Sequence, residues 1–284
     1  MPELPEVETI RRGLNKFILE KSLKKITVLN EKSFLGEKTL GRILNIRRYG
    51  KALILDLDNH KSLMIHLRMT GQLIFEPETG NRYAAGHPSE NFLATLPNNQ
   101  TRVILEFENG TLYFNDQRKF GFIKSLETKE VENDAFIKKL AKEPCEMSSG
   151  ELYERFKKHQ KSSIKSVLLD QSIICGLGNI YVDETLFASK IHPETRAGLL
   201  TEKDAENIIE NAKKIMEDSI NSGGSTMATY LKADGTRGNY LEKFAKVFRR
   251  EGEKCLECGE KIIKIKVNGR GTHLCPNCQR RRNA

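Results

Sequence analysis

Two groups of residues in this 284-residue chain have types and spacings suited to chemistry, one near each end. The first is Met1-Pro2-Glu3-Leu4-Pro5-Glu6-Val7-Glu8-Thr9. Pro2 is small enough for the initiator methionine to be trimmed, which would leave a secondary amine at the terminus. An α-amino group titrates near pH ~8, so a useful fraction is uncharged at neutral pH. A secondary amine that attacks a sugar C1′ becomes an iminium, which is an electron sink. Glu3 and Glu6 are placed to move protons beside it. Met-Pro starts are common and glutamates favour helix N-termini, so these residues alone fit a plain helix start at least as well. The second group is Cys255-x2-Cys258-x16-Cys275-x2-Cys278. Two Cys-x-x-Cys knuckles at zinc-ribbon spacing let four thiolates close around one Zn²⁺. With sulfur at all four positions no site stays open, so the zinc is expected to be structural.

These groups need elements to position them. Pro5 reads as the first residue of a helix, and Val7, Ile10, Leu14 and Ile18 recur at helical spacing. The amine would then sit at the positive end of a helix dipole, which disfavours its protonation. The chain next reads as strands: Ile26 to Leu29, Arg42 to Ile46, Ala52 to Leu57, Leu63 to Leu67, Gln72 to Phe75, Arg102 to Phe107 and Thr111 to Phe114. Asn109-Gly110 is a strong hairpin signal. Serial hairpins predict an antiparallel sandwich, and Gly80 to Asn99 reads as a loop. From about Asn133 the period turns helical, with apolar sets at Phe136-Ile137-Leu140, Leu152-Phe156, Ile164-Val167-Leu168, Ile180 to Ser189 and Ala205 to Met216. Gly223-Gly224 ends that region, and Ser225 to Tyr240 reads as a loop. In the zinc segment, Lys261 to Lys266 reads as one hairpin arm, Asn268-Gly269-Arg270-Gly271 as the tip and His273-Leu274 as the return. The expected class is α+β multidomain. Residues 1–130 would form the helix and β-sandwich, 131–222 a helical domain, 223–243 a loop and connection, and 244–284 a zinc ribbon.

Charge points to the partner. The formal net charge is +9, yet residues 245–284 hold eleven Lys and Arg against four Asp and Glu, leaving only +2 for the rest. Four thiolates on one Zn²⁺ would leave that segment at about +5, still a nucleic-acid footprint, with acidic partners an alternative. No apolar run is long enough to cross a bilayer, and no basic stretch leads into an apolar core, so neither membrane nor secretion is expected. Paired cysteines in such a chain favour metal and a reducing compartment. Cys145 and Cys175 stand apart and read as ordinary buried or partly buried thiols.

The run Pro2 to Thr9, together with Arg270-Gly271-Thr272-His273 inside the zinc motif, resembles the formamidopyrimidine-DNA glycosylases, bacterial enzymes that excise oxidised purines. The resemblance spans essentially the whole chain. It implies a base-excision glycosylase and AP lyase on damaged double-stranded DNA, acting as a monomer in a bacterial cytoplasm on the nucleoid. Pro2 would be the nucleophile, Glu3 the general acid–base, Glu6 a supporting carboxylate, Lys51 an active-site lysine, and Arg270 a phosphate contact serving δ-elimination. Gly176-Leu177-Gly178-Asn179 resembles the family's helix–two-turn–helix, although Gly-x-Gly-Asn alone is usually just a turn. Asn179, Lys161, Lys165, His66, Arg102 and Arg118 would contact DNA. Lys161 and Lys165 share a face if their segment is helical, His66 also reads as a core histidine, and Lys51 as a solvated hairpin lysine. Met69, Arg118 and Phe120 would fill the gap left by the flipped base. Ser225, Thr226, Met227, Thr229 and Tyr230 would lie in the loop that covers the lesion, and DNA would lie between the domains.

Two positions depart from the family pattern. Arg102 stands where relatives carry a histidine, and Ala228 where many carry a basic residue. Two rivals remain on sequence alone. One is the sister glycosylase for oxidised pyrimidines, although Leu4, Val7 and Thr9 match the purine branch better. The other is a catalytically silent zinc-containing DNA-binding protein, which leaves Pro2-Glu3 unexplained.

Overall fold

The structure, a computed structural model, describes residues 2–87, 94–224 and 244–282. The chain divides into two compact units, residues 1–138 with 220–239 and residues 139–219 with 240–284. In the first unit, helix α1 (Leu4–Ile18) precedes ten strands: β1 (Ser22–Val28), β2 (Phe34–Leu35), β3 (Gly41–Tyr49), β4 (Ala52–Leu57), β5 (Lys61–His66), β6 (Gly71–Pro77), β7 (Tyr83–Gly86), β8 (Thr101–Phe107), β9 (Gly110–Asp116) and β10 (Phe122–Glu127). Among the described residues they hydrogen-bond in the order β2-β10-β5-β4-β3-β1-β8-β9-β6-β7. Every pairing is antiparallel except β10 with β2. Strand β1 joins the two halves, pairing with β3 at Ser22 and Leu23 and with β8 along most of its length. One core takes Leu53, Leu55, Leu63 and Ile65 from one half and Leu73, Phe75, Val103, Leu105 and Phe114 from the other. The two halves therefore face each other as the expected sandwich.

Helix α1 adds Val7, Ile10, Leu14 and Ile18 to that core. It starts at Leu4, one residue before the expected Pro5, and Pro5 falls within the first turn where a missing N–H costs nothing. Gly80 to Asn99 is not all loop. Within it, Tyr83 to Gly86 pairs with β6, and Tyr83 and Ala85 enter the core. Tyr83 stacks on Phe17 of α1 with ring centroids 5.3 Å apart.

Charge also fixes α1 to the sheet. Glu8 accepts from Arg11 at 2.8 and 2.9 Å, Arg12 at 2.9 Å and Arg48 of β3 at 3.2 Å. Burial opposes ionisation of Glu8, but the arginines outweigh it and bring the carboxyl from 4.5 to about 2. Arg48 also donates to the Gly50 carbonyl at 3.0 Å. One carboxylate thus ties the first helix to the turn that carries Lys51.

In the second unit, α2 (Ser149–Lys158), α3 (Ile164–Leu169), α4 (Asn179–Ala188) and α5 (Glu202–Asn221) precede a hairpin of β11 (Ile263–Val267) and β12 (Arg270–Leu274). Ser148 caps α2 in a capping box with Glu151, and the Ser163 side chain caps α3.

Two outcomes follow. A Cβ at Gly13 would lie 2.1 Å from the Tyr83 hydroxyl oxygen and 2.3 Å from the ring carbon that bears it. Gly13→Ala gains about 1 kcal/mol of helix propensity but overpacks the ring, so a net loss of about 1–2 kcal/mol is expected in urea unfolding. A stabilised variant would contradict this packing. Second, the folded Glu8 carboxyl titrates below its unfolded value, so its contribution is complete above about pH 4.5 and fades as pH falls toward 2. Glu8→Gln should therefore flatten the acid limb of stability against pH between those values; unfolding series at several pH values measure it.

Candidate active site and nucleic-acid interface

The N-terminus of α1 is enclosed. Pro2 is buried, and Glu3 and Glu6 are only 3% and 5% exposed. The Glu6 carboxylate accepts the Glu3 backbone N–H at 2.8 Å, which fixes one carboxylate against the start of the helix. The Gly224 backbone, at φ +88°, runs over Glu6: an added Cβ would meet its Oε1 at 3.4 Å. Residues 225–230, the expected lesion-covering loop, lie outside the described residues.

Lys51 is 7% exposed, in the two-residue turn Gly50-Lys51 between β3 and β4. Arg47 and Arg48, just before this turn, belong to β3 and pair with β4. Register sets Ala52 opposite His66. Burial, with the positive charges of Arg68 and Lys51, pushes His66 down to about 3. His66 is accordingly a neutral, enclosed histidine. Its Nδ1 accepts the Arg68 N–H at 3.0 Å, and its ring stacks on Phe122 and meets Phe136 edge-on. His66, expected to contact phosphate, is 5% exposed.

The three wedge candidates sit on two turns. Met69 lies half-buried in the turn from Leu67 to Gly71, beside Arg68 at φ +49°. Arg118 and Phe120 are exposed after β9, flanking Lys119 at φ +59°. The Arg118 guanidinium lies over the Phe120 ring, 4.8 Å from its centroid. Asp116, with no exposed surface, joins the turns. Its Oδ1 accepts from the Thr70 hydroxyl and from the Arg118 N–H at 3.2 Å, and its Oδ2 accepts the Gly121 N–H at 2.7 Å. Sequence reading gave Asp116 no role, although an aspartate at a strand end ahead of a glycine-closed turn is a known signal for such bonds. Arg102, expected to contact DNA, is also enclosed. It is 8% exposed, and its Nε donates at 2.8 Å to the Asp116 carbonyl.

In the second unit the same question has a divided answer. Lys161 is exposed, but it lies in the turn before Ser163, so it shares no helical face with Lys165. Lys165 has no exposed surface. Its Nζ donates to Asp183 Oδ1 at 2.5 Å and to the Gly271 carbonyl at 3.2 Å. The capped start of α3 turns Lys165, expected to contact DNA, inward onto α4. Asn179, the first residue of α4, donates from Nδ2 to the same Gly271 carbonyl at 3.0 Å. Asp183 Oδ2 accepts the His273 N–H at 2.9 Å, and Glu184 accepts the backbone N–H groups of Lys246, Val247 and Phe248 at 2.7 to 3.0 Å. Burial pushes the Glu184 carboxyl up, against the three amides that favour its charge.

Arg270 is exposed as the first residue of β12, next to a tight turn in which Asn268 and Gly269 have φ of +44° and +78°. Both positive angles fit a two-residue hairpin turn. The tip is thus narrower than Asn268 to Gly271, and Arg270 already pairs with Val267.

The four cysteine sulfurs lie within 4.8 Å of one another, with Cys255 to Cys278 at 3.9 Å and Cys258 to Cys275 at 3.4 Å. Four sulfurs ~2.3 Å from one centre stand ~3.8 Å apart in a tetrahedron, so the set fits one Zn²⁺. The backbone N–H of Glu260 and the Asn277 side chain lower the Cys258 thiol to about 6. Cys255 and Cys275 are also packed with Phe187 of α4, Val247 and Ile262, so a metal there would complete a small core. Of the remaining thiols, Cys175 is buried as expected and Cys145 is exposed.

Comparisons with known proteins identify the family. Residues 1–123 match the formamidopyrimidine-DNA glycosylase N-terminal domain, residues 140–230 that family's H2TH domain, and residues 252–281 a zinc finger found in FPG and IleRS. A formamidopyrimidine-DNA glycosylase of Ligilactobacillus salivarius is 39% identical, covering 98% of this chain and 99% of its own. One from Desulfitobacterium hafniense is 35% identical over 98% of this chain and all of its own. The Lactococcus lactis enzyme, solved bound non-covalently to DNA containing an AP site, superposes with a TM-score of 0.85 at 34% identity over 99% of this chain and all of that one. A MutM structure in complex with DNA containing carbocyclic 8-oxo-G gives 0.84 at 35% identity. The chain belongs to the formamidopyrimidine-DNA glycosylase family.

Proposed function

We propose that this protein is a base excision repair DNA glycosylase that removes oxidised purines and then cuts the strand as an AP lyase. What carries the proposal is the enclosed start of α1, where Pro2, Glu3 and Glu6 lie together out of bulk water. Removal of Met1 frees the Pro2 nitrogen, whose lone pair attacks C1′ of the damaged nucleotide. The glycosidic bond breaks with its electrons leaving on the base, and the sugar ring opens to an iminium. Glu3 gives and takes the protons of these steps. The iminium acidifies C2′–H, and loss of that proton expels the 3′-phosphate; a second elimination expels the 5′-phosphate. Glu6 holds the helix start, and Lys51 supplies positive charge from the adjoining turn. Arg270 and Lys161 bind DNA phosphate, Arg270 serving the second elimination. Asn179 acts at the start of α4, whose amides favour anions. Met69, Arg118 and Phe120 fill the gap left by the flipped base. The protein works as a monomer in a reducing bacterial cytoplasm, with one structural Zn²⁺ on Cys255, Cys258, Cys275 and Cys278.

Borohydride reduction on a duplex containing 8-oxoguanine should trap a cross-link that peptide mapping assigns to Pro2. Pro2→Gly should lose most activity while staying folded, and Glu3→Gln should bind DNA without excising base. A cross-link mapped to Lys51 or another lysine refutes the assignment. An oxidised pyrimidine excised in preference to 8-oxoguanine would favour the sister enzyme instead.

The zinc assignment is tested separately. Purified protein should carry close to one zinc per chain, and Cys258→Ser should release it and weaken DNA binding. Active protein free of zinc would remove the metal from the scheme.

A further inference from the structure

A base-flipping enzyme meets roughly a few kcal/mol of unstacking, and a side chain can offset this only if it is held firmly. Here the candidate wedge comes from two turns far apart in sequence. Neither turn is rigid on its own account. Each includes a non-glycine residue in the left-handed region, Arg68 in one and Lys119 in the other, a conformation that persists only where surrounding bonds enforce it.

The enforcing bonds converge on one carboxylate. Asp116 ends β9 opposite Gly71 in register, so it sits where both turns leave the sheet. Its two oxygens take the Thr70 hydroxyl from one turn and the Arg118 and Gly121 amides from the other. The Arg118 N–H also reaches the Thr70 hydroxyl at 3.0 Å, a direct link between the turns. The Asp116 backbone is held as well, donating to the Gln100 carbonyl at 2.9 Å and accepting from Arg102. Gly121 closes the second turn against the sheet, since an added Cβ would stand 2.7 Å from the Phe114 ring.

We propose that Asp116 is a positioning residue for base extrusion: it clamps the Met69 turn to the Arg118–Phe120 turn, so the three side chains enter the helix as one wedge. This rests on the void-filling role given to those side chains under the proposed function. Hydrogen bonds to a buried carboxylate are among the stronger ones available, and this one accepts from both sides. Asparagine keeps the size but offers one accepting oxygen, and its amide hydrogens would face donors. Thr70→Val removes the link from the other side and leaves the carboxylate intact.

The test compares two substrates. One is a duplex with 8-oxoguanine, where the base must be flipped and the gap filled. The other is a single strand with a preformed abasic site, where neither is needed. Asp116→Asn and Thr70→Val should slow single-turnover excision from the duplex about tenfold to a hundredfold, the loss expected from a small misplacement. Cleavage of the abasic single strand should stay within about twofold, and in a Met69→Ala background either change should add no more than about twofold. Fluorescence of 2-aminopurine placed beside the lesion should show a weaker rise on binding. Equal losses on both substrates, or additive losses with Met69→Ala, would overturn the clamp. So would duplex excision by Thr70→Val at the wild-type rate, a variant that serves even if Asp116→Asn does not fold. Wild-type excision by Met69→Ala would remove the wedge and the clamp together, while trapping at Pro2 would still stand and keep the parent proposal intact.

Discussion

A carboxyl group removed from water is tolerable only when partners saturate its oxygens, and this fold places such groups where short segments must be held. Glu8 gathers three arginines and joins α1 to the turn of Lys51. Asp116 gathers two turns. Asp183 takes Lys165 and the His273 amide, and Glu184 takes three amides at the entry to the zinc segment. None of these segments has a large core of its own. Hydrogen-bond direction therefore does what apolar area cannot: it fixes angles.

The zinc segment shows this most plainly. Its own core is a few residues around two cysteines. A four-sulfur metal site would set the knuckles, but it says nothing about where the hairpin points. That direction comes from α4 and α3, through Asp183, Asn179 and Lys165. Breaking the Lys165–Asp183 pair from one side would leave an uncompensated buried charge, at a cost of about 3–5 kcal/mol.

Local patterns in the sequence carried much of this. Helical spacing after Pro5, the Asn-Gly turns and the cysteine spacing each depend on residues close together in the chain, and each element stands within a few residues of its expected place. Long-range placement was not legible. Lys165 and Lys161 are the same residue type four apart, yet a cap at Ser163 separates them into a buried and an exposed lysine. Tyr83 to Gly86 lies in a stretch rich in Pro, Gly and Asn, and only its pairing with β6 makes it a strand. Arg102 is expected to contact DNA, but it lies at a bulge, and its Nε donates to the backbone at the end of β9. Asp116 carries only the local signal of an aspartate before a glycine-closed turn; its link to the Met69 turn exists only once the two turns meet.

The positive charge divides in the same way. A cation's sign predicts an anionic partner, but its burial decides which anion it meets. Lys165 meets a protein carboxylate, and Arg102 a backbone carbonyl. Arg270, Lys161 and Arg118 remain exposed. The buried cations contribute by aiming the exposed ones: Lys165 and Asn179 grip the carbonyl of Gly271, the residue next to Arg270. An apolar side chain at 165 would not serve as well: it removes one partner of a buried pair and leaves the Asp183 carboxyl uncompensated. It would fill the same volume, but it would take one donor from Asp183 and one from the Gly271 carbonyl. The hairpin would lose one of the bonds that set the direction of its arginine.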